Sequence, residues 1–255
     1  MGLKRTSEMD NGGILVSAAV EGEMEGIREH LTAASTYRAG GQALTGGRLG
    51  RQGARLVVTG PGIANTVHGL SVAVADEKPE LIVQMGCGGG FEQAGLVVGD
   101  VVIASREIDA QLGLEKEQAG AAVDRLPFPV IARPGKEIFN CYPVDRGEIE
   151  RASKILITGF AKSGVSVMTG PFITVATVTA SLGRAGDLHR LHGAMVENME
   201  GAGAAHVAAL YDIPFMEIRV VSNMVSVRDK SKWDLPLAFQ RCAQAVRLYL
   251  ESRRL

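Results

Sequence analysis

Residues 196–225 read VENMEGAGAAHVAALYDIPFMEIRVVSNMV, and the fold is decided here. Glu200 is an isolated acid that opens an Ala/Gly-rich apolar run continuing to Leu210. That pattern suits a buried helix whose positive N-terminal end faces the carboxylate. After the Asp212-Ile213-Pro214 turn, Phe215 to Val221 reads as a strand, alternating and then continuously apolar, and it stops abruptly at Ser222-Asn223. A strand ending in small polar side chains, beside a helix beginning with an acid, puts two kinds of hydrogen-bonding group at one edge of a sheet. Open α/β sheets place their ligand sites at such edges.

Working outward, Ala194 to Asn198 is a short strand before Glu200. Gly164 to Met168 is another, followed by Thr169-Gly170-Pro171-Phe172-Ile173-Thr174. As a loop at a strand end, that segment offers Phe172 and Ile173 to a flat base, although Phe172 reads equally well as a core residue. Near the start, Ile14 to Val20 is a strand, and Glu21-Gly22-Glu23-Met24-Glu25 begins a helix running to about Leu31. Acids in a first turn favour the helix dipole, yet three within five residues at a strand's carboxyl end exceed that need and mark a candidate functional acid. Thr36 to Arg51 has the weak alternation of a hairpin. Ala54 to Thr59 is a strand leading through Gly60-Pro61-Gly62 into a helix ending near Asp76; this turn is either plain strand-to-helix chemistry or a source of backbone N–H donors.

Glu80 to Met85 is a buried strand running into Gly86-Cys87-Gly88-Gly89-Gly90. A loop almost without Cβ atoms at a sheet edge lets a ligand touch the main chain; a tight crossing of strands is the structural alternative. The run is not the GxGxxG of a dinucleotide fold, and no acid follows at the required distance. Leu96 to Ser105 is a strand entered through Gly99-Asp100. From Arg106 to Arg146 the pattern decays amid prolines, as in a substrate-shaping region. Gly147 to Phe160 is helical by spacing, and Leu235, Ala238, Cys242, Ala245, Val246 and Tyr249 lay out a closing amphipathic helix.

Composition supports an α/β enzyme of one domain, 14–255, behind a flexible N-terminal tail, 1–13. The 255 residues are 46% apolar but only 5% aromatic, with 32 glycines, the profile of a buried sheet built from small and branched side chains. The class expected is a three-layer α/β sandwich with a central mixed, largely parallel twisted sheet flanked by helices. Formal net charge is −1, from 27 basic and 28 acidic residues, so no footprint for nucleic acid or an anionic membrane is visible. Cys87, Cys141 and Cys242 are too scattered for a disulfide framework or a metal motif. The five histidines show no ligand spacing, and His206 reads as a satisfied buried residue. Neither metal nor cofactor is expected, and a reducing cytoplasm is the simplest setting.

In order along the chain, MGCGGG (85–90), VGDVVIA (98–104), NMEGAG (198–203) and VVSN (220–223) resemble the purine nucleoside phosphorylase and nucleosidase superfamily. Within it, AVEGEME (19–25) is similar to the opening of methylthioadenosine/S-adenosylhomocysteine nucleosidases. VENMEG together with SNMVSVRDKSKW resembles futalosine hydrolases more closely, which remove hypoxanthine from futalosine in menaquinone biosynthesis. The resemblance implies that Glu200 with Met199 grips the ribose hydroxyls, that Glu23 deprotonates an attacking water, and that Asn223 faces the purine N7 edge. It also implies a base-stacking loop at Phe172 and Ile173, and a floor under the ribosyl group at Cys87, Gly88 and Gly89. A homo-oligomer, dimer or larger, is expected by the same analogy.

Two departures refine this. Methylthioadenosine nucleosidases carry Asp, a proton donor, at the position of Asn223. An amide cannot supply a proton, but its carbonyl accepts from N7–H while its NH₂ donates to a 6-oxo group, which favours hypoxanthine over adenine. An adenine-releasing nucleosidase for methylthioadenosine, S-adenosylhomocysteine or aminodeoxyfutalosine is the alternative, with a non-catalytic nucleoside-binding protein behind it. Second, the loop Val20 to Glu25 carries acids where superfamily phosphorylases hold phosphate with arginines. Hydrolysis is therefore expected over phosphorolysis, with Arg51 and Arg55 left as possible phosphate ligands.

Overall fold

A computed structural model describes residues 13–115 and 123–253; apart from Gly13, the expected N-terminal tail lies outside them. The strand β1 (Ile14–Ala18) is buried along its whole length, which is why ILVSA shows no alternation. It lies between β4 (Gln52–Val58) and β5 (Leu81–Gly90), parallel to both. The helix α1 (Glu21–Arg28) follows β1, and the hairpin β2 (Thr32–Ala39) and β3 (Gln42–Leu49) extends the sheet antiparallel from β4. The crossover from β4 to β5 is α2 (Ile63–Asp76).

Beyond β5 come β6 (Val101–Asp109) and a region of short ladders in which β7 (Leu114–Glu115) pairs with β8 (Val123–Asp124) and β9 (Ile131–Arg133) pairs with β10 (Lys136–Ile138). There β11 (Cys141–Pro143) edges β6. The chain ends with α3 (Arg146–Phe160), β12 (Val167–Thr174), α4 (Leu182–His192), β13 (Val196–Asn198), α5 (Gly201–Tyr211), β14 (Phe215–Met224) and α6 (Leu235–Ser252). Helices α1, α3 and α6 pack together on the sheet, as α2 and α5 do separately, so the expected α/β sandwich with a mixed sheet is what forms. Among the described residues no helix is long and apolar enough to cross a membrane.

One closure positions everything that follows. β14 lies between β5 and β6, β12 joins β6 to β13, and β13 returns to β5. These five strands complete a circuit with no free edge. It corrects three boundaries read from the sequence. The glycine run is not a loop: Gly86 to Gly90 are the end of β5, clamped between β13 and β14. A Cβ on Gly88 would lie 2.5 Å from Val196 Cγ1, and one on Gly89 2.8 Å from Val225 Cγ2; glycine is what lets three strands meet. The strand expected from Leu96 starts only at Val101, because Asp100 Oδ2 accepts from Val97 N at 2.9 Å and closes a turn. The segment Thr169 to Thr174 is strand β12 and not a base-stacking loop. Phe172 and Ile173 are both 0% exposed, each packed in a hydrophobic cluster, because β12 has partners on both sides.

Candidate active site

At the carboxyl ends of β1, β5 and β14 opens a cavity of about 290 Å³. Its walls bring together Glu23, Cys87, Gly88, Gly89, Met199, Glu200 and Asn223, residues drawn from both ends of the chain. Phe172 and Ile173 are not among its lining residues.

Glu23 sits in the first turn of α1, 3% exposed. Its carboxylate folds back over the helix start, Oε2 accepting from Ala19 N at 2.9 Å and Val20 N at 3.2 Å. Oε1 accepts from Cys87 N at 2.9 Å. Part of this is ordinary capping of a helix N-terminus; the bond to Cys87 is tertiary and aims the acid across the sheet.

Glu200 stands at the N-terminus of α5. Its Oε1 accepts from Gly62 N at 3.0 Å and its Oε2 from Arg219 Nη1 at 3.2 Å. The small residues of α5 explain the first contact. A Cβ on Gly203 would lie 3.1 Å from Ile63 O and 3.3 Å from Ile63 Cα, so the bare helix presses on the start of α2. Gly62, at φ 91°, turns its N–H to the acid.

Between the two acids lies Arg219, 1% exposed. Nε donates to Glu217 Oε1 at 2.8 Å, and Nη1 donates to Cys87 O at 3.0 Å as well as to Glu200. Burial opposes its charge, but Glu217, Glu200 and Glu23 outweigh that and hold the guanidinium ionised. A Cβ on Gly86 would lie 2.5 Å from Glu23 Oε1 and 2.9 Å from Arg219 Nη1, so both groups crowd the same point of β5.

Asn223 owes its direction to a bulge. The β14 register jumps from Val221 opposite Gly88 to Asn223 opposite Gly89, leaving Ser222 as the extra residue, and bulges re-aim side chains in this way. Ser222 Oγ lies 2.8 Å from Asn223 Oδ1 and 3.2 Å from Gly88 O. Asn223 Nδ2 donates to Met224 O at 3.3 Å and keeps a second hydrogen.

Glu197, also in the lining and 7% exposed, accepts from Thr179 N at 3.0 Å and Thr179 Oγ1 at 2.5 Å. Arg184 Nε lies 3.3 Å from the same hydroxyl oxygen, which orients the hydroxyl hydrogen toward Glu197. Burial raises the Glu197 pKa and the Thr179 bonds oppose the rise. Burial, and next the Glu23 charge, push the Cys87 thiol up to about 12, far from thiolate chemistry.

The arginines left open for phosphate do not line the cavity. Arg55 is engaged with the end of α2, donating to Ala73 O at 2.9 Å and to Glu77 O. Arg51 is exposed in the turn before β4. The cations in the lining are Arg219 and Arg228.

Sequence reasoning passed over Arg219, Glu217 and Glu197, whereas the Gly60-Pro61-Gly62 turn does supply a backbone N–H donor, to Glu200. The first two had a signal. FMEIRVV carries opposite charges two residues apart, on one face of a strand otherwise apolar, and charges are seldom fully buried unless paired. Glu197 had none that sets it apart from Glu200, three residues on.

The family model of the phosphorylase superfamily matches residues 13–251. The chain belongs to that superfamily. Among curated members, the futalosine hydrolase of Thermus thermophilus is 31% identical over 192 residues, 75% of this chain and 79% of its own. The 5′-methylthioadenosine/S-adenosylhomocysteine nucleosidase of Bacillus thuringiensis is 26% identical, covering 87% and 90%. Among solved structures, that of the Neisseria meningitidis enzyme of the latter name, in complex with methylthio-immucillin-A, superposes with a TM-score of 0.80. It is 22% identical and covers 94% of this chain and 98% of that one, so it speaks to the fold.

Proposed function

We propose that this chain hydrolyses the N-glycosidic bond of a purine nucleoside, and that its substrate is futalosine, giving hypoxanthine and dehypoxanthine futalosine on the way to menaquinone. The observation that carries the reading is the convergence of Glu23, Glu200 and Asn223 on one cavity with Arg219 between the two acids. The futalosine hydrolases among its relatives support the choice of substrate.

Cleavage breaks the bond from C1′ to N9, and positive charge grows on the sugar while negative charge grows on the base. Glu200, fixed by Gly62 N and Arg219, binds the ribose hydroxyls where the positive charge appears. Glu23 Oε1 accepts a single backbone N–H and has a lone pair left for the proton of the attacking water. General-base help of this kind is worth ~10²–10⁴-fold. The departing base spreads its charge toward Asn223, whose spare N–H meets the 6-oxo group, and it takes its proton from solvent. Glu197 supplies the discrimination that the amide alone leaves incomplete. A carboxylate only accepts, so it pairs with the N1–H of hypoxanthine and opposes the N1 lone pair of adenine.

Water is the nucleophile in this reading because the loop beside Glu23 is acidic and Arg55 is engaged elsewhere. The reading also places the enzyme in the cytoplasm as a homo-oligomer. Val178 in the lining and Val227 beside it are 39% and 64% exposed, and light scattering should return a dimer or larger.

The test is incubation with futalosine, methylthioadenosine and inosine, with and without phosphate, following free base. Hypoxanthine from futalosine without phosphate is expected. Phosphate-dependent release overturns hydrolysis. Adenine without hypoxanthine overturns the roles of Asn223 and Glu197, and no release at all leaves a nucleoside-binding protein.

A further inference from the structure

Behind the cavity wall, Glu107 on β6 and Glu217 on β14 are both 0% exposed. One oxygen of each, Oε2, has no hydrogen-bond partner among the described residues. The two oxygens converge on Gly201. A Cβ there would lie 2.5 Å from Glu217 Oε2 and 2.8 Å from Glu107 Oε2, so glycine at the first residue of α5 leaves the space they occupy. The other two oxygens are engaged. Glu217 Oε1 accepts from Arg219 Nε at 2.8 Å, and Glu107 Oε1 accepts from Thr174 Oγ1 at 2.5 Å and Asn198 Nδ2 at 3.1 Å.

Two carboxylates side by side in a buried interior do not both ionise, and buried oxygens without donors are rare. Among the described residues no group of three or more His, Cys, Asp or Glu is arranged to hold a metal, so a cation has no set of ligands there. A proton between the Oε2 atoms resolves the repulsion and satisfies both oxygens. We propose that Glu107 and Glu217 share one proton, carried by Glu107 and donated to Glu217, and that the pair is the positioning element of Arg219.

The assignment follows from the partners. Glu217 binds a guanidinium and needs its negative charge, whereas the donors on Glu107 Oε1 leave its other oxygen free to be O–H. Burial, and next the Glu217 charge, push the Glu107 pKa well above the carboxylate range; burial also raises Glu217, opposed by Arg219 and by the bond from Glu107. The remaining groups around the cluster are Glu200 at the start of α5, Glu23 on α1, Thr174 on β12 and Asn198 on β13. Four acids thus surround one arginine.

The consequence is geometric. A guanidinium is a rigid fork, so holding Nε on an ionised Glu217 sets where Nη1 meets Glu200 and Cys87 O. Asn198 ties the same cluster to the sugar-binding acid, since its Oδ1 accepts from Glu200 N at 2.9 Å and Gly201 N at 2.7 Å. If Glu107 loses its proton, a second negative charge competes for Arg219 and loosens its hold on Glu200.

Glu107→Gln keeps a donor toward Glu217 and an acceptor toward Thr174 and Asn198, so it imitates the protonated acid. We expect near-native kcat at neutral pH, no alkaline loss of kcat attributable to the pair, and disappearance of one protonated-carboxyl band from the infrared spectrum. Glu107→Leu, lacking the donor, should lose at least tenfold in kcat, as should Glu217→Gln. The melting midpoint gives a readout independent of substrate. An acid whose pKa is raised by folding holds a proton that the unfolded chain releases, so wild-type stability should fall as pH rises above the ordinary carboxylate range. Glu107→Gln should flatten that slope. The proposal fails if wild type has no band that Glu107→Gln removes, or if Glu107→Gln is as impaired as Glu107→Leu. The kinetic arm rests on the hydrolase reading; the band and the melting slope do not. Absence of turnover with the band intact refutes only the function, and turnover without the band refutes only the pair.

Discussion

Glu23→Gln removes one charge and turns one acceptor into a donor. The amide cannot be placed without conflict. With NH₂ at the Oε2 position it faces Ala19 N and Val20 N; at the Oε1 position it faces Cys87 N, beside Arg219 Nη1. The second arrangement loses fewer bonds and leaves one buried N–H without an acceptor, costing about 1–3 kcal/mol of stability. For a chain of this size that lowers the melting midpoint by about 2–12 °C. The catalytic loss is larger. Without a base for the attacking water kcat should fall by ~10²–10⁴-fold, about 2.7–5.5 kcal/mol of transition-state stabilisation, while KM changes little because Glu200 still holds the sugar. Steady-state hypoxanthine release beside a circular dichroism melt measures both. A kcat within threefold of wild type, from protein that melts as expected, would refute the role given to Glu23.

Other substitutions probe neighbouring parts of the argument. Asn223→Asp removes the N–H facing the 6-oxo group and should slow hypoxanthine release about 5–150-fold, from ~1–3 kcal/mol of lost hydrogen bonding. The ratio of adenine to hypoxanthine released from paired substrates checks it, and an unchanged ratio counts against the amide. Gly86→Ala drives a methyl against Glu23 and Arg219, and should cost about 1–3 kcal/mol by denaturant titration together with most of the turnover. Glu148 accepts from Arg253 Nη2 at 2.6 Å and from Tyr249 Oη. Burial raises its pKa, but Arg253, Tyr249 and Arg151 outweigh that and lower it on balance. A carboxylate lowered by folding stabilises above its ordinary pKa and loses that contribution as pH falls through the folded value. Glu148→Gln should therefore be less stable than wild type near neutral pH by denaturant titration, by about 1–3 kcal/mol, and the gap should close in acid.

The site is only partly legible from the chain. Glu23, Glu200 and Asn223 stand out because each is polar where a strand or helix begins or ends. Arg219 and Glu217 do not, since they sit mid-strand in a run that hydrophobic pattern alone marks as core. Phe172 and Ile173 mislead for the opposite reason. An aromatic near a strand end looks available to a ligand until the strand is seen to continue through it, as β12 does. The glycines at 86–90 mark the right place under either reading, open loop or tight crossing of strands, and the crossing is the form they take; the chain alone does not separate the two because both need the same absence of Cβ.

By itself the sequence determined the alternation of strands and helices, the mixed α/β class, and the acids and amide that face an edge. Those are local properties, written in periodicity and in the residues at element ends. Tertiary structure alone decided that β5, β14, β6, β12 and β13 close into a circuit, and with it that Arg219 stands between Glu200 and Glu217 and that Glu107 reaches Glu217. The physical reason is distance along the chain. Glu107 and Glu217 are 110 residues apart, and a buried acid shows what it is for only when the group opposite it is known.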